Sequence, residues 1–343
     1  MRAWQYTSTS GGLEKGLRLN ETARRPGTTA FAFAPLGDRD ILVRVHRASL
    51  NPADWKVAEM LSPLNGVARP RAATPGLDFA GVVARAAVGG ALREGTRCFG
   101  RVPKTFAGRG ALGEYVVVGP EDCAALPDGV SFDDGACVGT AGLAAYQSIA
   151  PHVEEGAGDR VFVNGGSGGT GTFGIQVARA LGCRVAASCS GGNVELCRSL
   201  GCDLVVDYTC EDTSQVLKGE GCVFKVVMDN AVFPADLYKA ADTYLLPSGR
   251  YVSVGGPHTF SAMANTMKRV AIPSFLGGGK RKLILLASDC KRHQLEAMAR
   301  WMEEGKMKPV IDSVFDFEDV PRAFEKLKTG RPRGKIVIKV SNE

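Results

Sequence analysis

The sequence has little of what marks an exported or membrane-spanning protein. Its first residues, Met1-Arg-Ala-Trp-Gln-Tyr, contain no signal-peptide core, and no apolar run approaches the length that spans a bilayer. The ten cysteines form no C-x-x-C pair, and several lie in apolar stretches, where cysteine behaves as a small buried hydrophobic residue. This usage is typical of a reducing compartment rather than of a disulfide framework, so we predict a cytoplasmic protein.

Charge of one sign is not concentrated anywhere along the chain. The 42 basic and 36 acidic residues leave a formal net charge of +6, and the densest basic stretch, Lys280-Arg-Lys, is short. The sequence has no basic arm and no basic patch with interleaved aromatic residues, so we predict no nucleic-acid partner. The mild positive balance leaves weak peripheral attraction to anionic membranes open, without insertion.

The length of 343 residues exceeds one ordinary core and favours two domains. The N-terminal part has short strand patterns and turns, and a helix-like run follows from Phe132 to Ile149. From Arg160 strands alternate with helices, which is typical of a parallel sheet flanked by helices. The predicted strands match a doubly wound domain and are Val161–Val163, Val185–Ser188, Leu204–Val206, Val226–Met228, Tyr251–Val254 and Leu283–Ala287.

A glycine-rich turn follows the first of these strands and precedes an amphipathic helix. Gly166, Gly168 and Gly171 satisfy G-x-G-x-x-G: the first permits the tight turn, the second lets a pyrophosphate approach, and the third lets helix and strand pack closely. Because the chain has 43 glycines, the strand–turn–helix context carries more weight than the pattern, and a purely structural turn is the alternative. We predict a dinucleotide whose phosphates lie at the helix N-terminus, on Gly166, Ser167, Gly168, Gly169, Thr170 and Gly171.

Seven stretches form an ordered series that covers nearly the whole chain. They are Asn51-Pro-Ala-Asp-Trp-Lys, Pro75-Gly-Leu-Asp-Phe-Ala-Gly-Val-Val, Leu112-Gly-Glu-Tyr-Val, Thr140-Ala-Gly-Leu-Ala-Ala-Tyr, Asn164-Gly-Gly-Ser-Gly-Gly-Thr-Gly, Leu200-Gly-Cys-Asp-Leu-Val-Val-Asp-Tyr and Gly334-Lys-Ile-Val-Ile. The series resembles the landmarks of the medium-chain dehydrogenase/reductase superfamily. It is most similar to the zinc-free quinone oxidoreductase (zeta-crystallin-like) branch, which includes chloroplast-envelope and fungal homologues.

The resemblance implies an α/β protein with two domains. A GroES-like, mostly-β substrate domain would be formed from both chain ends, residues 1–125 and 288–343. It would surround a Rossmann NADP-binding domain with a doubly wound parallel sheet, residues 126–287. The resemblance also implies an oxidoreductase with a cleft site between the domains and, commonly, a homodimer.

Residue types argue against a zinc site. Zinc-dependent relatives of this superfamily place a cysteine where this chain has Asn51, and a histidine–glutamate pair where it has Leu77-Asp78. Leu77 cannot coordinate a metal, and a neutral asparagine is a poor replacement for a thiolate. Cys137 falls near the third ligand position, but one thiolate does not make a site, and the four-cysteine structural lobe is also missing. We therefore predict no metal.

Without a Lewis acid, a simple ketone is hard to activate for hydride transfer. A quinone or an α,β-unsaturated carbonyl compound is easier, because its negative charge spreads onto an oxygen that hydrogen bonds can stabilise. We therefore predict an NADPH-dependent reductase of such conjugated acceptors. The nicotinamide supplies the hydride, while the protein orients both partners and excludes water.

The stretch from Asn51 to Lys56 carries the candidate catalytic residues. Asn51 is predicted to hold the substrate carbonyl, with a helix cap before Pro52 as an equally good interpretation. Lys56 is a candidate proton donor, although an exposed lysine and a proton from solvent are the alternatives. Asp54 and Trp55 are predicted to contact the substrate, Asp54 by orienting neighbouring groups and Trp55 as an apolar wall. Many quinone reductases have a tyrosine at the position of Trp55, whose indole N–H is no useful acid.

NADPH is the predicted cofactor. After the second strand of the nucleotide domain, no carboxylate that would repel a 2′-phosphate occurs until Glu195, and Ser190 and Asn193 can donate hydrogen bonds to it. Gly192 stands where relatives often have arginine or lysine, so the preference over NADH is expected to be modest. The resemblance adds four residues to the cofactor site: Thr140, Tyr208, Asn230 and Gly255.

Two other functions fit the same sequence. One is a trans-acting enoyl reductase that serves a carrier-bound polyketide or fatty acyl chain, which needs a long pocket with a basic mouth. Arg69, Arg71 and Lys104 are the candidates for that mouth. The other is a non-catalytic NADPH-binding scaffold, because the glycine turn argues only for binding.

Overall fold

The computed structural model describes residues 1–27, 36–60, 72–103, 108–231, 237–254 and 280–341. Up to residue 149 the strands and helices are β1 (Ala3–Gln5), α1 (Leu13–Gly16), β2 (Arg18–Asn20), β3 (Ile41–Leu50), α2 (Pro52–Met60), β4 (Asp78–Arg85), β5 (Arg97–Arg101), β6 (Tyr115–Val118), β7 (Cys123–Ala125), α3 (Phe132–Val138) and α4 (Ala141–Ile149). From residue 160 they are β8 (Arg160–Asn164), α5 (Gly169–Ala180), β9 (Arg184–Cys189), α6 (Val194–Ser199), β10 (Leu204–Asp207), α7 (Thr213–Gly219), β11 (Phe224–Asp229), β12 (Leu245–Val254), β13 (Lys282–Leu286), α8 (Arg292–Glu303), β14 (Ile311–Asp316), α9 (Val320–Lys328) and β15 (Lys335–Lys339).

The chain divides into two compact units. The first unit contains Met1–Leu143 together with Asp289–Glu343, and the second unit contains Ala144–Ser288. The domain boundaries that the sequence suggests, after residues 125 and 287, stay predictions. The first unit extends past residue 125 because α3 packs on β3, β4, β5 and β15 of the same sheet.

The first unit is built on a seven-stranded sheet. Its strands are paired in the order β14-β15-β3-β4-β5-β7, and β6 pairs with β3 in addition. β3 lies between β15 and β4 and is antiparallel to both. Its side chains are almost all buried, in line with its apolar run Ile41-Leu-Val. This is the mostly-β unit from both chain ends that the resemblance implies.

The second unit is built on a six-stranded parallel sheet. The strands lie in the order β10-β9-β8-β11-β12-β13, which along the chain is third, second, first, fourth, fifth and sixth. Every neighbouring pair is parallel. This order is that of the doubly wound dinucleotide-binding fold, and it confirms the predicted α/β class. Such sheets bind ligands at the carboxyl ends of their strands.

The helix-like run from Phe132 to Ile149 is two helices rather than one. Ser131 caps α3 by accepting a hydrogen bond from the Asp134 amide, and the helix ends before Gly139. A Cβ atom at Gly139 would collide with the carbonyl oxygen of Gly100, so the chain passes β5 closely there. The break leaves Thr140 between two helices, with its side chain directed at Asp78.

Candidate active site and cofactor site

Strand register brings the polar residues of the first unit together. Ser49, near the end of β3, is paired with Asp78, the first residue of β4. On its other side β3 is paired with β15, where Leu50 lies opposite Ile336. The residue after β3 is Asn51 and the residue before Ile336 is Lys335, so both lie beside Asp78. We call Asn51, Asp54, Asp78, Thr140 and Lys335 the Asp78 cluster.

The Asp78 cluster is closed by short hydrogen bonds. Lys335 Nζ donates to Asn51 Oδ1 at 2.5 Å and to the carbonyl oxygen of Leu50 at 3.0 Å. Asn51 Nδ2 donates to Asp78 Oδ2 at 2.8 Å, and Lys335 Nζ lies 3.4 Å from the same oxygen. Asn51, Asp78 and Lys335 are at most 3% exposed. A buried ammonium therefore already compensates the buried Asp78 carboxylate.

Asn51 and Asp54 also cap helix α2. The Asn51 amide donates to Asp54 Oδ2 at 2.6 Å, and the Asp54 amide donates to the Asn51 carbonyl oxygen at 3.0 Å. The first bond is the half of a capping box in which the N3 carboxylate accepts from the N-cap amide, and the second bond joins two backbone groups. Burial, together with the nearby Asp78 carboxylate, raises the pKa of Asp54 to about 7. The Asn51 side chain is used in the Asp78 cluster rather than as a helix cap, and its contact with a substrate carbonyl stays a prediction.

Trp55 and Lys56 follow on the same helix. Trp55 packs against the apolar core of the first unit, and the ammonium groups of Lys56 and Lys328 lie 5.5 and 5.0 Å from its ring centroid. Lys328 also pairs with Glu59 at 2.6 Å and with Glu14, which ties α2 to α1 and α9. Half-burial lowers the pKa of Lys56 to about 8. An ammonium with such a pKa is a competent acid near neutral pH.

Thr140 belongs to this cluster. Its hydroxyl donates to Asp78 Oδ1 at 2.6 Å, on the carboxylate whose other oxygen faces Asn51. The hydroxyl oxygen keeps lone pairs for another donor. A contact between Thr140 and the cofactor, which the resemblance implies, stays a prediction.

Leu77 and Cys137 occupy positions at or near those of zinc ligands in the zinc-dependent relatives, and neither is placed as a ligand. Leu77 is buried, and the Cys137 thiol donates to the carbonyl oxygen of Asp133 at 3.2 Å. Burial raises the pKa of Cys137 well above its usual range, which keeps it a thiol. Across the described ranges, no group of three or more His, Cys, Asp and Glu side chains is arranged to hold a metal ion. The absence of a metal stays a prediction.

The glycine turn, residues 165–171, follows β8 and includes the first three residues of α5. Its left-handed residue is Gly165, with a φ of 77°, so the first glycine of the pattern is not the one that permits the tight turn. Gly166 has negative φ and must be small for another reason: a Cβ atom there would lie 2.9 Å from Ala187 Cβ on β9. A Cβ atom at Gly171 would collide with the Gly165 carbonyl oxygen, as the predicted close packing requires.

The N-terminus of α5 fits a pyrophosphate. The first hydrogen bond along the helix joins the Thr172 amide to the Gly168 carbonyl oxygen, so the amides of residues 169–171 precede the helical ladder. Among the described residues, a Cβ atom at Gly168 would have only the Gly165 carbonyl oxygen within 4 Å, so no described side chain covers this backbone. Among the described residues, the buried Asn230 Oδ1 has no hydrogen-bond partner. These features suit a dinucleotide held by this unit.

The structure brings Asp207 beside Gly191, in the segment that follows β9. Asp207 ends β10, and a Cβ atom at Gly191 would collide with its carboxylate. Hydrogen bonds from the Thr209 hydroxyl and amide hold the pKa of Asp207 below its usual value. No carboxylate follows β9 along the chain until Glu195, as the sequence states, but Asp207 was not considered, and the pairing of β10 with β9 brings it beside Gly191. Its position at the carboxyl end of a predicted parallel strand was the available signal.

The other residues predicted around the adenosine lie close to Asp207. Asn193 Nδ2 donates to Ser190 Oγ at 3.0 Å, and its own buried Oδ1 has no partner in the part of the chain that the structure describes. Tyr208 follows Asp207 and is 45% exposed, which leaves its ring available to a ligand. Gly255, Arg69, Arg71 and Lys104 lie outside the described residues.

Known proteins resemble this chain over its whole length. The model of the alcohol dehydrogenase GroES-like domain matches residues 37–128, and that of the zinc-binding dehydrogenase matches residues 200–338. A trans-enoyl reductase of Aspergillus terreus, pgmF, is 41% identical over 354 residues, covering 99% of this chain and 96% of that protein. A 2-methylene-furan-3-one reductase of Solanum lycopersicum is 30% identical, over 98% of this chain and 79% of that protein. The solved structure of the quinone oxidoreductase from Coxiella burnetii has a TM-score of 0.78 at 26% identity and covers 99% of both chains.

The chain therefore belongs to the medium-chain dehydrogenase/reductase superfamily. It is an oxidoreductase, and the class uses a nicotinamide cofactor, NAD(P)H. These matches confirm the superfamily, the enzyme class and the GroES-like and Rossmann-like architecture. The structure adds one separate finding on location: none of its described helices combines the length and apolar character needed to cross a membrane.

Proposed function

We propose that this protein is a zinc-independent, NADPH-dependent reductase of quinones or of the C=C bond of α,β-unsaturated carbonyl compounds. The observation that carries the proposal is the Asp78 cluster. Where zinc-dependent relatives hold ligands, Asn51 instead accepts from the buried ammonium of Lys335 and donates to Asp78. A divalent cation would meet like charge there and a neutral amide in place of a thiolate.

The choice of a conjugated acceptor follows from the hydrogen-bond donors that the chain offers in place of a metal ion. The reduced nicotinamide, when bound, supplies the hydride. The chain itself offers hydrogen-bond donors rather than a Lewis acid: one amide N–H of Asn51 and the ammonium of Lys56. Donors of this kind stabilise a charge that is already delocalised onto an oxygen. The names of the tomato furanone reductase and the Coxiella quinone oxidoreductase support the same acceptor class.

We assign proton delivery to Lys56 and substrate orientation to Asn51, Asp54 and Trp55. The half-burial that lowers the pKa of Lys56 to about 8 makes its ammonium a better acid than an exposed one. Asp54, with a pKa of about 7, is largely uncharged on the acid side of neutrality and therefore opposes a developing enolate less than an anion would. Asn51 is kept in one amide orientation because Lys335 can only donate and Asp78 can only accept.

The proposal predicts a sharp division among acceptors. We expect NADPH oxidation with a quinone or an alkyl enone, and a rate lower by at least about 100-fold with the matching saturated ketone, which lacks charge delocalisation. The measurement is the loss of NADPH absorbance with purified protein at equal acceptor concentrations. Comparable turnover of the saturated ketone would refute the argument built on Asn51 and Leu77.

We further propose NADPH rather than NADH, with Asp207 limiting the preference. The Ser190 hydroxyl and the Asn193 amide support a 2′-phosphate, whereas the Asp207 carboxylate beside Gly191 repels it. Asp207→Asn keeps an oxygen for the Thr209 hydrogen bonds and removes the charge. We expect the ratio of the NADH to the NADPH dissociation constant to rise by about threefold to fivefold, a modest change because solvent screens an exposed charge.

The control for this prediction is Glu211→Gln. Glu211 lies in the same segment and accepts from the Asp207 amide, so its replacement removes the same charge nearby. We expect the ratio to change by less than half as much. An unchanged ratio in Asp207→Asn, or an equal change in both variants, would remove Asp207 as a determinant, and a wild-type ratio below one would overturn the NADPH preference.

A trans-acting enoyl reductase is the second candidate, favoured by the relative pgmF, which bears that name. It differs from the first in requiring a carrier-bound chain. The two functions are separated by comparing the turnover of an enoyl group on a carrier protein with that of the same group on a small thioester. Turnover that requires the carrier would favour the trans-acting enoyl reductase. Tight NADPH binding without turnover of any acceptor would favour the scaffold instead.

A homodimer and a cytoplasmic location are also proposals. Within the described ranges β13 is the last strand of its sheet and carries the half-exposed Leu285, so its edge suits pairing with a second copy. None of the ten cysteines forms a disulfide, which supports a reducing compartment.

A further inference from the structure

Four buried polar side chains form a continuous hydrogen-bonded series in the second unit. Ser188 on β9, Asn164 on β8 and Asp229 on β11 are direct neighbours across three adjacent parallel strands. Tyr251 on β12 reaches Asp229 from the fourth strand. All four are at most 4% exposed. We call these residues the polar relay.

The chemistry of the polar relay gives it a single direction. The Asp229 carboxylate only accepts, so the Tyr251 hydroxyl donates to one of its oxygens at 2.8 Å and Asn164 Nδ2 donates to the other at 2.7 Å. With its amide turned this way, Asn164 presents Oδ1 to Ser188, whose hydroxyl donates to it at 2.6 Å. Every member therefore depends on its neighbour for its orientation.

The polar relay ends on the glycine turn. With its proton committed to Asn164, the Ser188 hydroxyl oxygen accepts from the amide of Gly165, the left-handed residue of the turn, at 3.2 Å. The Ser188 carbonyl oxygen accepts from the next amide, that of Gly166, at 2.8 Å. Two successive amides of the turn are thus directed toward β9. The amides of residues 169–171, at the start of α5, are not used in these bonds.

The backbone of one relay residue, Asn164, holds Asn230. Both the backbone amide and the side-chain Nδ2 of Asn230 donate to the Asn164 carbonyl oxygen, at 3.2 and 3.0 Å. The following amide, that of Ala231, donates to Asp229. Asn230 Oδ1 is then the one side-chain atom of this residue that is buried without a partner among the described residues.

The position of the relay argues against a purely structural role. Burying a carboxylate and its donors costs more than burying apolar side chains of similar size. The carboxylate and the amide that carry this cost, Asp229 and Asn164, are the last residues of their strands, where doubly wound sheets bind their ligands.

We propose that the polar relay positions the glycine turn and Asn230 for the dinucleotide, which makes Ser188, Asn164, Asp229 and Tyr251 positioning residues for cofactor binding. The inference rests on the nicotinamide cofactor of the proposed function. It names residues outside the glycine pattern, and it places the farthest of them, Tyr251, two strands away from the turn.

Two variants test the relay at its ends. Ser188→Ala removes the acceptor of the Gly165 amide, and Tyr251→Phe removes the far donor without changing the size of the ring. We expect the dissociation constants for NADPH, measured from cofactor fluorescence, to rise about 10-fold and about 5-fold, each corresponding to one lost hydrogen bond. The KM for NADPH should rise similarly while kcat and the KM for the acceptor stay within twofold. ADP-ribose, which keeps the pyrophosphate but lacks the nicotinamide, should lose affinity by the same factors.

Tyr244→Phe is the matched control. Tyr244 is equally buried in the same unit, and its hydroxyl donates to the Leu237 carbonyl oxygen at 2.6 Å. We expect it to lower the thermal midpoint as much as Tyr251→Phe does and to leave both dissociation constants unchanged. Unchanged affinities in Ser188→Ala and Tyr251→Phe, or an equal loss in Tyr244→Phe, would overturn the inference alone. A wild-type protein that binds neither NADPH nor ADP-ribose would overturn the proposed function with it.

Discussion

Replacing Lys335 by methionine is expected to destabilise the first unit by about 3–5 kcal/mol, because it leaves a buried carboxylate without its cation. Lys335 is 3% exposed, and its ammonium contacts Asn51, Asp78 and the Leu50 carbonyl oxygen. Methionine fills similar space but satisfies none of these three groups. The measurement is urea unfolding followed by tryptophan fluorescence, since all three tryptophans of the chain, Trp4, Trp55 and Trp301, belong to the first unit.

Two further variants separate the buried charge from other effects. Adding Asp78→Asn to Lys335→Met removes the orphaned charge, so we expect the double variant to be more stable than Lys335→Met alone. Lys339 lies on β15, the strand of Lys335, and Lys339→Met breaks its exposed pair with Asp316 on the neighbouring strand β14, which should cost less than about 1 kcal/mol. If the free energy of unfolding of Lys335→Met lay within about 1 kcal/mol of the wild-type value, the ammonium of Lys335 would not be what stabilises the Asp78 cluster.

Replacing Lys56 by methionine is expected to lower kcat by about 100-fold, the usual contribution of a positioned general acid. Above pH 8 the wild-type kcat should fall, because only the protonated amine donates and burial sets its pKa at about 8, whereas a smaller change near pH 7 would report the ionisation of Asp54. In Lys56→Met this fall should be absent. Lys56→Arg keeps the positive charge through this range but is too weak an acid, so it should be nearly as slow and equally independent of pH. The measurement is kcat against pH for an enone with saturating NADPH.

The control for this prediction is Lys15→Met, which replaces an exposed lysine of the same unit. It should keep the wild-type rate and pH profile. If the kcat of Lys56→Met stayed within about twofold of the wild-type value, solvent would supply the proton, because a side chain that does not deliver the proton contributes nothing to kcat.

The nucleotide-binding unit was largely predictable because its signals are local. The strand before Gly166, the helix after Gly171 and the later strands each follow from apolar spacing within a few residues, and the structure arranges them in the doubly wound order. The assignment of the tight turn to Gly166 failed by one residue. The residue with positive φ is Gly165, just before the pattern, whereas Gly166 is required to be small by Ala187 on β9, a contact that the spacing of glycines does not reveal.

The Asp78 cluster was only partly predictable because it depends on register. Asn51 and Lys335 are separated by 284 positions, and they meet because β15 and β4 flank the end of β3. The sequence offered one signal for Lys335, a charged residue at the start of the apolar run Ile336-Val-Ile. Asp207 was missed for the same reason, since the pairing of β10 with β9 brings it beside Gly191.

The central claim is hydride transfer from reduced nicotinamide to the electrophilic carbon of a conjugated acceptor without a metal. The measurement that tests it most directly is to supply NADPH deuterated at the transferring C4 position, together with an alkyl enone, and to locate the label in the product by NMR. We predict deuterium at the carbon β to the carbonyl group and a solvent proton at the α carbon, unchanged when the protein is first treated with a chelator. Deuterium on the carbonyl carbon, or activity lost to the chelator and restored by zinc, would contradict the account.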